Sequence, residues 1–154
     1  MQLQLDASAI SSLRSALIRG GLRETGGQLF GRMHAPGKFS VTDVTTQNRL
    51  GSVARFLVDL AEALRMSDRF FYKRRSQYRT YNYIGEWHSH PSFAVTPSGT
   101  DLQTMRALVT DGSFRGSFSV LLIVRLDQDT ITASASVFDR TGAMGNVQLE
   151  MCNA

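Results

Sequence analysis

Two histidines separated by a single residue, His88 and His90, are the side chains whose types and spacing most directly indicate chemistry. Side chains alternate with a period of two along a strand, so an extended backbone puts both imidazoles on one face. Pro91 ends the strand, and a loop rich in Pro, Ser and Gly leads to Asp101 in the first turn of a predicted helix. Two imidazoles and one carboxylate are three protein ligands for Zn²⁺, and such sites leave the fourth position to water, as catalytic zinc sites do. The spacing therefore predicts a zinc hydrolase.

The motif resembles that of the JAMM/MPN+ metalloproteases, the family of JAB-like domains. The family pattern is a glutamate well upstream, then His-x-His-Pro, a spacer and Ser-x-x-Asp. Glu24, residues 88–91 (HSHP) and residues 98–101 (SGTD) match it. Ten residues separate His90 from Asp101, as the family requires. Residues 24–31 (ETGGQLFG) are similar to the family's Glu-x-x-Gly-x-Leu-x-Gly strand, so the resemblance reaches both ends of the site.

Each part of the motif also has an ordinary structural interpretation. His88 and His90 could be hydrogen-bonded strand histidines. Ser98 and Asp101 have the spacing of a capping box at the start of a helix, which needs no metal. Glu24 alone would be a surface carboxylate. Because these parts agree in order and spacing, the metal site is the favoured interpretation.

The resemblance implies a role for each matched residue. His88, His90 and Asp101 are expected to bind one Zn²⁺ per chain. Glu24 is expected to act as the general base and then as the general acid toward the leaving amine. Ser98 is expected to donate a hydrogen bond to the developing oxyanion while it caps the helix.

Glu86 is a rival for the role of the base, because the period of two puts it on the same face as the histidines. It lies about 6–7 Å back along the strand from the nearer ligand, which is too far to reach the bound water. We therefore expect Glu86 to support the ligands or to pack beside them. Trp87 points to the opposite face and is expected to fill the core.

The remaining chain predicts an α/β domain with a curved mixed sheet flanked by helices. Hydrophobic spacing predicts helices over residues 6–19 and 58–73 and a third after residue 98, and a loop over 47–55. Strands are predicted over 26–34, 38–46, 81–90, 117–124 and 131–137, with a last short strand over 147–151. The JAMM resemblance implies the same architecture, which is similar to that of the cytidine deaminases.

Length and composition indicate one domain over residues 1–154. A chain of 154 residues with 42% hydrophobic and 19% charged residues is typical of a globular protein with one core. It is too short for the barrel of about 250 residues on which other His-x-His hydrolases are built. No apolar run is long enough to span a membrane, and the N-terminus lacks the features of a signal peptide. A single cysteine, Cys152, fits a reducing compartment, so we expect a cytoplasmic protein.

The positive charge is dominated by arginine. The net charge is +4 and only Lys38 and Lys73 among the 17 basic residues are lysines. The densest basic stretch, residues 69–79 (RFFYKRRSQYR), interleaves aromatic and basic side chains. Its aromatic residues could pack inward from a solvated helix end, and this interpretation is favoured over nucleic-acid binding. A protein-docking surface is the more plausible functional alternative.

The resemblance implies hydrolysis of a peptide or isopeptide bond at the C-terminus of a ubiquitin-like protein, during deconjugation or precursor processing. Residues 83–91 (YIGEWHSHP) look like the compact bacterial branch of the family, which occurs with ubiquitin-like conjugation machinery, including antiphage systems. One alternative is an amidase of the same fold that releases a small amino compound from a sulfur-carrier-like protein. Another is a non-catalytic MPN interaction module, although modules of that class usually lack the ligands.

Overall fold

The computed structural model describes residues 1–47 and 81–152 together with Tyr72. The described residues form eight strands and two helices. The strands are β1 (Gln2–Leu5), β2 (Gly26–Ala35), β3 (Lys38–Val44), β4 (Tyr81–Ser89), β5 (Phe118–Asp127), β6 (Thr130–Asp139), β7 (Met144–Asn146) and β8 (Gln148–Met151), and the helices are α1 (Ala7–Gly20) and α2 (Gly99–Thr110). The predicted helix 58–73, the loop 47–55 beyond Gln47 and the basic stretch 69–79 lie outside the described residues, except for Tyr72.

All of the described strands belong to one mixed sheet. Its order is β7-β6-β5-β4-β2-β3-β1-β8. Strand β4 runs parallel to β5 and antiparallel to β2, while β1 runs parallel to both β3 and β8. The sheet curves until β8 comes back into contact with β6. The predicted α/β fold with a curved mixed sheet is therefore confirmed.

The two faces of the sheet bury separate apolar clusters. On one face, α1 packs with its buried stripe of Ala9, Leu13, Ala16 and Leu17 against the strands. On the other face, Met105 and Val109 of α2 pack on Leu121 and Ile123 of β5. Residues Val120, Leu122 and Val124 of the same strand belong to the α1 side, as the period of two requires. Helix α2 is thus packed on the strand beside β4.

Two short strands were absent from the sequence-based prediction. Strand β1 has the alternation Gln-Leu-Gln-Leu, and its leucines Leu3 and Leu5 are fully buried under α1. Strand β7 is a three-residue edge strand paired with β6. Asp6 is the N-cap residue of α1, but its side chain makes no capping bond, and Ser8 donates to the Thr42 carbonyl instead. No helix in the described part of the chain has the length and apolar character needed to cross a membrane.

Candidate metal centre

The two histidines lie at the carboxyl end of the central strand β4. His88 is within the strand, and His90 follows its last residue, Ser89. The His90 backbone N–H still donates to the Val124 carbonyl of β5 at 2.9 Å, which holds His90 in line with the strand. The two imidazoles therefore share a face, and their Nε2 atoms lie 3.1 Å apart. Both residues are buried.

Asp101 reaches the histidines from the start of α2. Ser98 is the N-cap residue, and its Oγ accepts a hydrogen bond from the Asp101 N–H at 3.2 Å. In return, Asp101 Oδ2 accepts a hydrogen bond from the Ser98 N–H at 2.7 Å. This is a complete capping box, in which both partners satisfy groups at the helix terminus. The box fixes the rotation of the Asp101 carboxylate, so the capping and metal-site interpretations of these residues are compatible.

The three side chains converge as ligands of one small ion would. Asp101 Oδ1 lies 3.4 Å from His88 Nε2, and Asp101 Oδ2 lies 3.7 Å from His90 Nε2. Tetrahedral zinc with ligand distances of about 2.0–2.2 Å requires ligand atoms roughly 3.3–3.6 Å apart. The observed separations of 3.1, 3.4 and 3.7 Å bracket that spacing, and the three residues form a group able to hold a metal ion. The residues present therefore fit Zn²⁺.

The charge state of each group also suits a cation. The Nδ1 atom of His90 lies 2.8 Å from the Ala94 carbonyl, which can only accept, so in the neutral ring Nδ1 carries the proton and Nε2 has the lone pair that a metal ion requires. Burial acts to raise the pKa of Asp101, but hydrogen bonds from His88 and Ser98 outweigh it and hold this pKa well below its usual range. The Nε2 atom of His90 and an ionised carboxylate thus face the same point.

Glu24 lies two residues before the start of β2, the strand that pairs with β4. Ser89 N–H donates to the Thr25 carbonyl at 2.8 Å, and Thr25 N–H donates to Ser89 Oγ at 3.0 Å. The next residue outward on the antiparallel strand, Glu24, therefore runs alongside His90. Glu24 is half-buried. Its role as the base stays a prediction.

Comparison with known proteins decides the family. The prokaryotic homologs of the JAB domain match residues 6–137 of this chain. The chain belongs to that family. A curated relative of this JAB domain is named CD-NTase/cGAS isopeptidase and comes from Enterobacter hormaechei subsp. hoffmannii (strain UCI 50). The two are 26% identical over 141 residues, which cover 90% of this chain and 76% of the relative.

A solved structure shares the fold of the JAB domain at lower identity. It is the solution structure of a protein from Desulfitobacterium hafniense, with a TM-score of 0.72 and 17% identity. The match covers 99% of this chain and 94% of the other. The similarity therefore extends over the whole fold, beyond the motif itself.

Strand β4 also carries a buried polar network, of which the sequence analysis identified only Glu86. Tyr83 Oη donates to Glu86 Oε1 at 2.8 Å and lies 2.9 Å from Ser119 Oγ, and Gln28 also hydrogen-bonds to Glu86. Tyr83 and Glu86 share a face although they are three residues apart, because the β2–β4 register shifts at Ile84. That bulge carries no sequence signal, whereas the burial of Glu86 follows from its central strand.

Burial changes the titration of both partners in this network. It raises the pKa of the Glu86 carboxyl to about 8, although the hydrogen bonds from Tyr83 and Gln28 act in the opposite direction. Burial also raises the pKa of Tyr83 well above its usual value, with the nearby Glu86 charge adding to the effect. Trp87 lies on the opposite face, where it is fully buried and donates from Nε1 to the Thr45 carbonyl at 2.8 Å. The expectation that Trp87 fills the core is confirmed.

Proposed function

We propose that this JAB domain is a zinc-dependent isopeptidase or peptidase that cleaves the bond after the C-terminal residue of a ubiquitin-like protein. The observation that carries the proposal is the convergence of His88 Nε2, His90 Nε2 and the Asp101 carboxylate at separations of 3.1, 3.4 and 3.7 Å. Family membership and a relative named as an isopeptidase support isopeptidase-type hydrolysis. The same convergence argues against the alternative of a non-catalytic MPN module, which has no need of metal ligands.

His88, His90 and Asp101 would hold one Zn²⁺ per chain. When bound there, Zn²⁺ lowers the pKa of a coordinated water to about 7 and polarises a carbonyl group. The contact between His90 Nδ1 and the Ala94 carbonyl fixes the orientation of the His90 ring with Nε2 toward the other ligands. The Ser98 N–H fixes the orientation of the Asp101 carboxylate. The chain thus presents preoriented ligands.

Proton transfer is assigned to Glu24, which runs alongside His90 at the open end of β4. Its carboxylate accepts a proton from the attacking water as the water oxygen bonds to the scissile carbonyl carbon. The same proton then passes to the amine nitrogen as the carbon–nitrogen bond breaks, which leaves a carboxylic acid and a free amine. Such assistance is typically worth about 10²–10⁴-fold in rate.

Ser98 is assigned to the developing oxyanion. The capping box uses a lone pair of Ser98 Oγ to accept from Asp101, so the hydroxyl proton remains available to a second acceptor. Ser98 is exposed at the start of α2, next to the carboxylate ligand. A hydrogen bond from this hydroxyl would strengthen as negative charge develops on the carbonyl oxygen.

The substrate proposed is a conjugate of a ubiquitin-like protein. The curated relative is named for CD-NTase/cGAS, so a ubiquitin-like protein joined to a CD-NTase is the first conjugate to test. An amidase acting on a sulfur-carrier-like protein is the alternative within the same chemistry. The isopeptidase and amidase substrates differ in the leaving amine, and the same steps at this site would hydrolyse either bond.

The decisive experiment separates metal binding from proton transfer. The probe is a ubiquitin-like protein that ends in glycine and carries a fluorogenic amide on that C-terminal residue. Glu24→Gln should retain its zinc and its affinity for the probe, while turnover falls by about 10²–10⁴-fold. The matched control is Glu86→Gln, which removes a carboxylate from the same face but farther from the open end and should lose much less turnover.

Two results would contradict the proposal. A double His88→Ala, His90→Ala variant that binds zinc as the unaltered chain does would refute the metal site. An inactive Glu86→Gln beside an active Glu24→Gln would show that the base is assigned to the wrong carboxylate.

A further inference from the structure

The loop between β4 and α2 is held by three side chains on three consecutive carbonyl groups. Arg125 Nη1 donates to the Phe93 carbonyl at 2.9 Å, His90 Nδ1 donates to the Ala94 carbonyl at 2.8 Å, and Ser134 Oγ donates to the Val95 carbonyl. This loop joins the two histidines to Asp101. Arg125 belongs to β5 and Ser134 to β6, the two strands that follow β4 in the sheet order.

Arg125 is itself oriented by a second set of contacts. Its Nε donates to Asp127 Oδ1 at 2.8 Å, and its Nη2 donates to Asp127 Oδ2 at 2.9 Å. Asp127 Oδ2 also accepts from Thr132 Oγ1 at 2.9 Å, which ties the carboxylate to β6. A two-point contact between a guanidinium and a carboxylate fixes the plane of the guanidinium. The remaining nitrogen, Nη1, is thereby directed at the Phe93 carbonyl.

The central carbonyl of the three matters most to the metal centre. Ala94 lies between two anchored residues, so its carbonyl oxygen has little freedom to move away from His90. This oxygen keeps the proton of His90 on Nδ1 and leaves the Nε2 lone pair facing Asp101 and His88. Any loosening of the loop would free the His90 ring to rotate or to change tautomer.

We infer that Arg125 is a positioning residue of the metal centre, which acts through the loop at Phe93 and Ala94 on the ring of His90. Ser134 supports the same loop from its other side. The inference rests on the proposed zinc site, because the benefit of a fixed His90 ring is tighter metal binding. The Arg125 side chain is 30% exposed, so its role is not that of a core residue.

The test compares two arginines that both donate to loop carbonyls. Arg125→Met keeps the length and apolar stem of the side chain but removes every donor. Arg140→Met is the matched control, because Arg140 Nη2 donates to the Phe114 carbonyl at 3.4 Å in a loop that carries none of the three ligands. Zinc affinity of the full chain is measured by competition with a chromophoric chelator. We expect Arg125→Met to bind zinc about tenfold more weakly, and Arg140→Met to bind as the unaltered chain does.

A second measurement reports the tautomer of the His90 ring directly. Nitrogen-15 NMR of the imidazoles in metal-free protein should show the Nδ1–H form of His90 in the unaltered chain and a mixture of tautomers in Arg125→Met. Arg125→Lys restores one donor to the Phe93 carbonyl without the two-point contact to Asp127, and its zinc affinity should be intermediate. Ser134→Ala perturbs the same loop independently of Arg125 and should also weaken zinc binding.

The outcomes separate this inference from the metal site itself. Undiminished zinc affinity in both Arg125→Met and Ser134→Ala, with an unchanged His90 tautomer, would overturn the role of the loop and leave the metal site standing. An equal loss in Arg140→Met would overturn it too, because the effect would then be general destabilisation. Absence of zinc binding by the unaltered chain would refute the metal centre and this inference with it.

Discussion

Replacement of Glu86 by glutamine should make the metal-free protein more stable at neutral and mildly alkaline pH. Glu86 is buried, with 4% of its surface exposed, and burial raises its pKa from 4.5 to about 8. Below pH 4.5, the folded and unfolded chains both carry the proton, so Glu86 costs no stability. Between pH 4.5 and 8, the unfolded chain releases the proton while the folded chain keeps it, and folding stability falls as pH rises. Above pH 8 the loss is complete.

The magnitude follows from the shift in pKa. Each pH unit across this window costs about 1.4 kcal/mol, so the difference of 3.5 between 8 and 4.5 amounts to roughly 5 kcal/mol at its full extent. At pH 7 the window is 2.5 units wide, which corresponds to about 3 kcal/mol. Glutamine is neutral at every pH and can keep the hydrogen bond from Tyr83, so Glu86→Gln should lose most of this dependence.

The assay is urea unfolding of chelator-treated protein at intervals from pH 4.5 to 8.5. Metal is removed because protons compete with metal for the histidines, which adds a separate pH dependence. Glu150→Gln is the matched control, since Glu150 is an exposed carboxylate on β8 and its replacement should leave the slope unchanged. Equal pH slopes for the unaltered chain and Glu86→Gln would refute the reasoning that Glu86 is neutral when folded.

Three further predictions concern single side chains. Ser98→Ala should lose about 1 kcal/mol of stability with the helix cap, and its turnover should fall by about 10²–10³-fold. The variant should keep its zinc, because the Ser98 N–H still orients Asp101. Loss of zinc would count against separate capping and ligand roles. Trp87→Ala should lower the free energy of unfolding by about 3–5 kcal/mol, because it empties a fully buried site and removes the hydrogen bond from Trp87 Nε1 to the Thr45 carbonyl. A loss under about 1 kcal/mol in chemical denaturation would be inconsistent with a core role. Cys152→Ser should keep full activity in the fluorogenic assay, because the Cys152 Sγ accepts a hydrogen bond from Gln4 of β1 at 2.8 Å and the residue is not part of the ligand group. An inactive variant would speak against a metal-only mechanism.

Much of the site is readable from local sequence because its geometry is local. The spacing of His88 and His90 determines a shared face as soon as the backbone is extended. The spacing of Ser98 and Asp101 determines a capping box as soon as a helix begins at Gly99. Neither statement depends on the rest of the chain, and both agree with the structure.

The remaining features depend on residues that are distant in sequence. The approach of Asp101 to the histidines requires β5 beside β4 and a loop held by Arg125 and Ser134, and neither residue has a spacing that reveals this. Strand β1 has a visible alternation, but four residues become a strand only when β3 and β8 supply partners.

The buried network around Glu86 shows the same division. Its side chain lies on the ligand face because of the strand period, which the sequence alone determines. Its contact with Tyr83 arises from the register shift at Ile84, and its raised pKa arises from burial between neighbouring strands. Periodicity and helix caps act over a few residues and can be read from the chain. Register, burial and the orientation of a metal ligand by a distant arginine are decided only when the whole sheet has assembled.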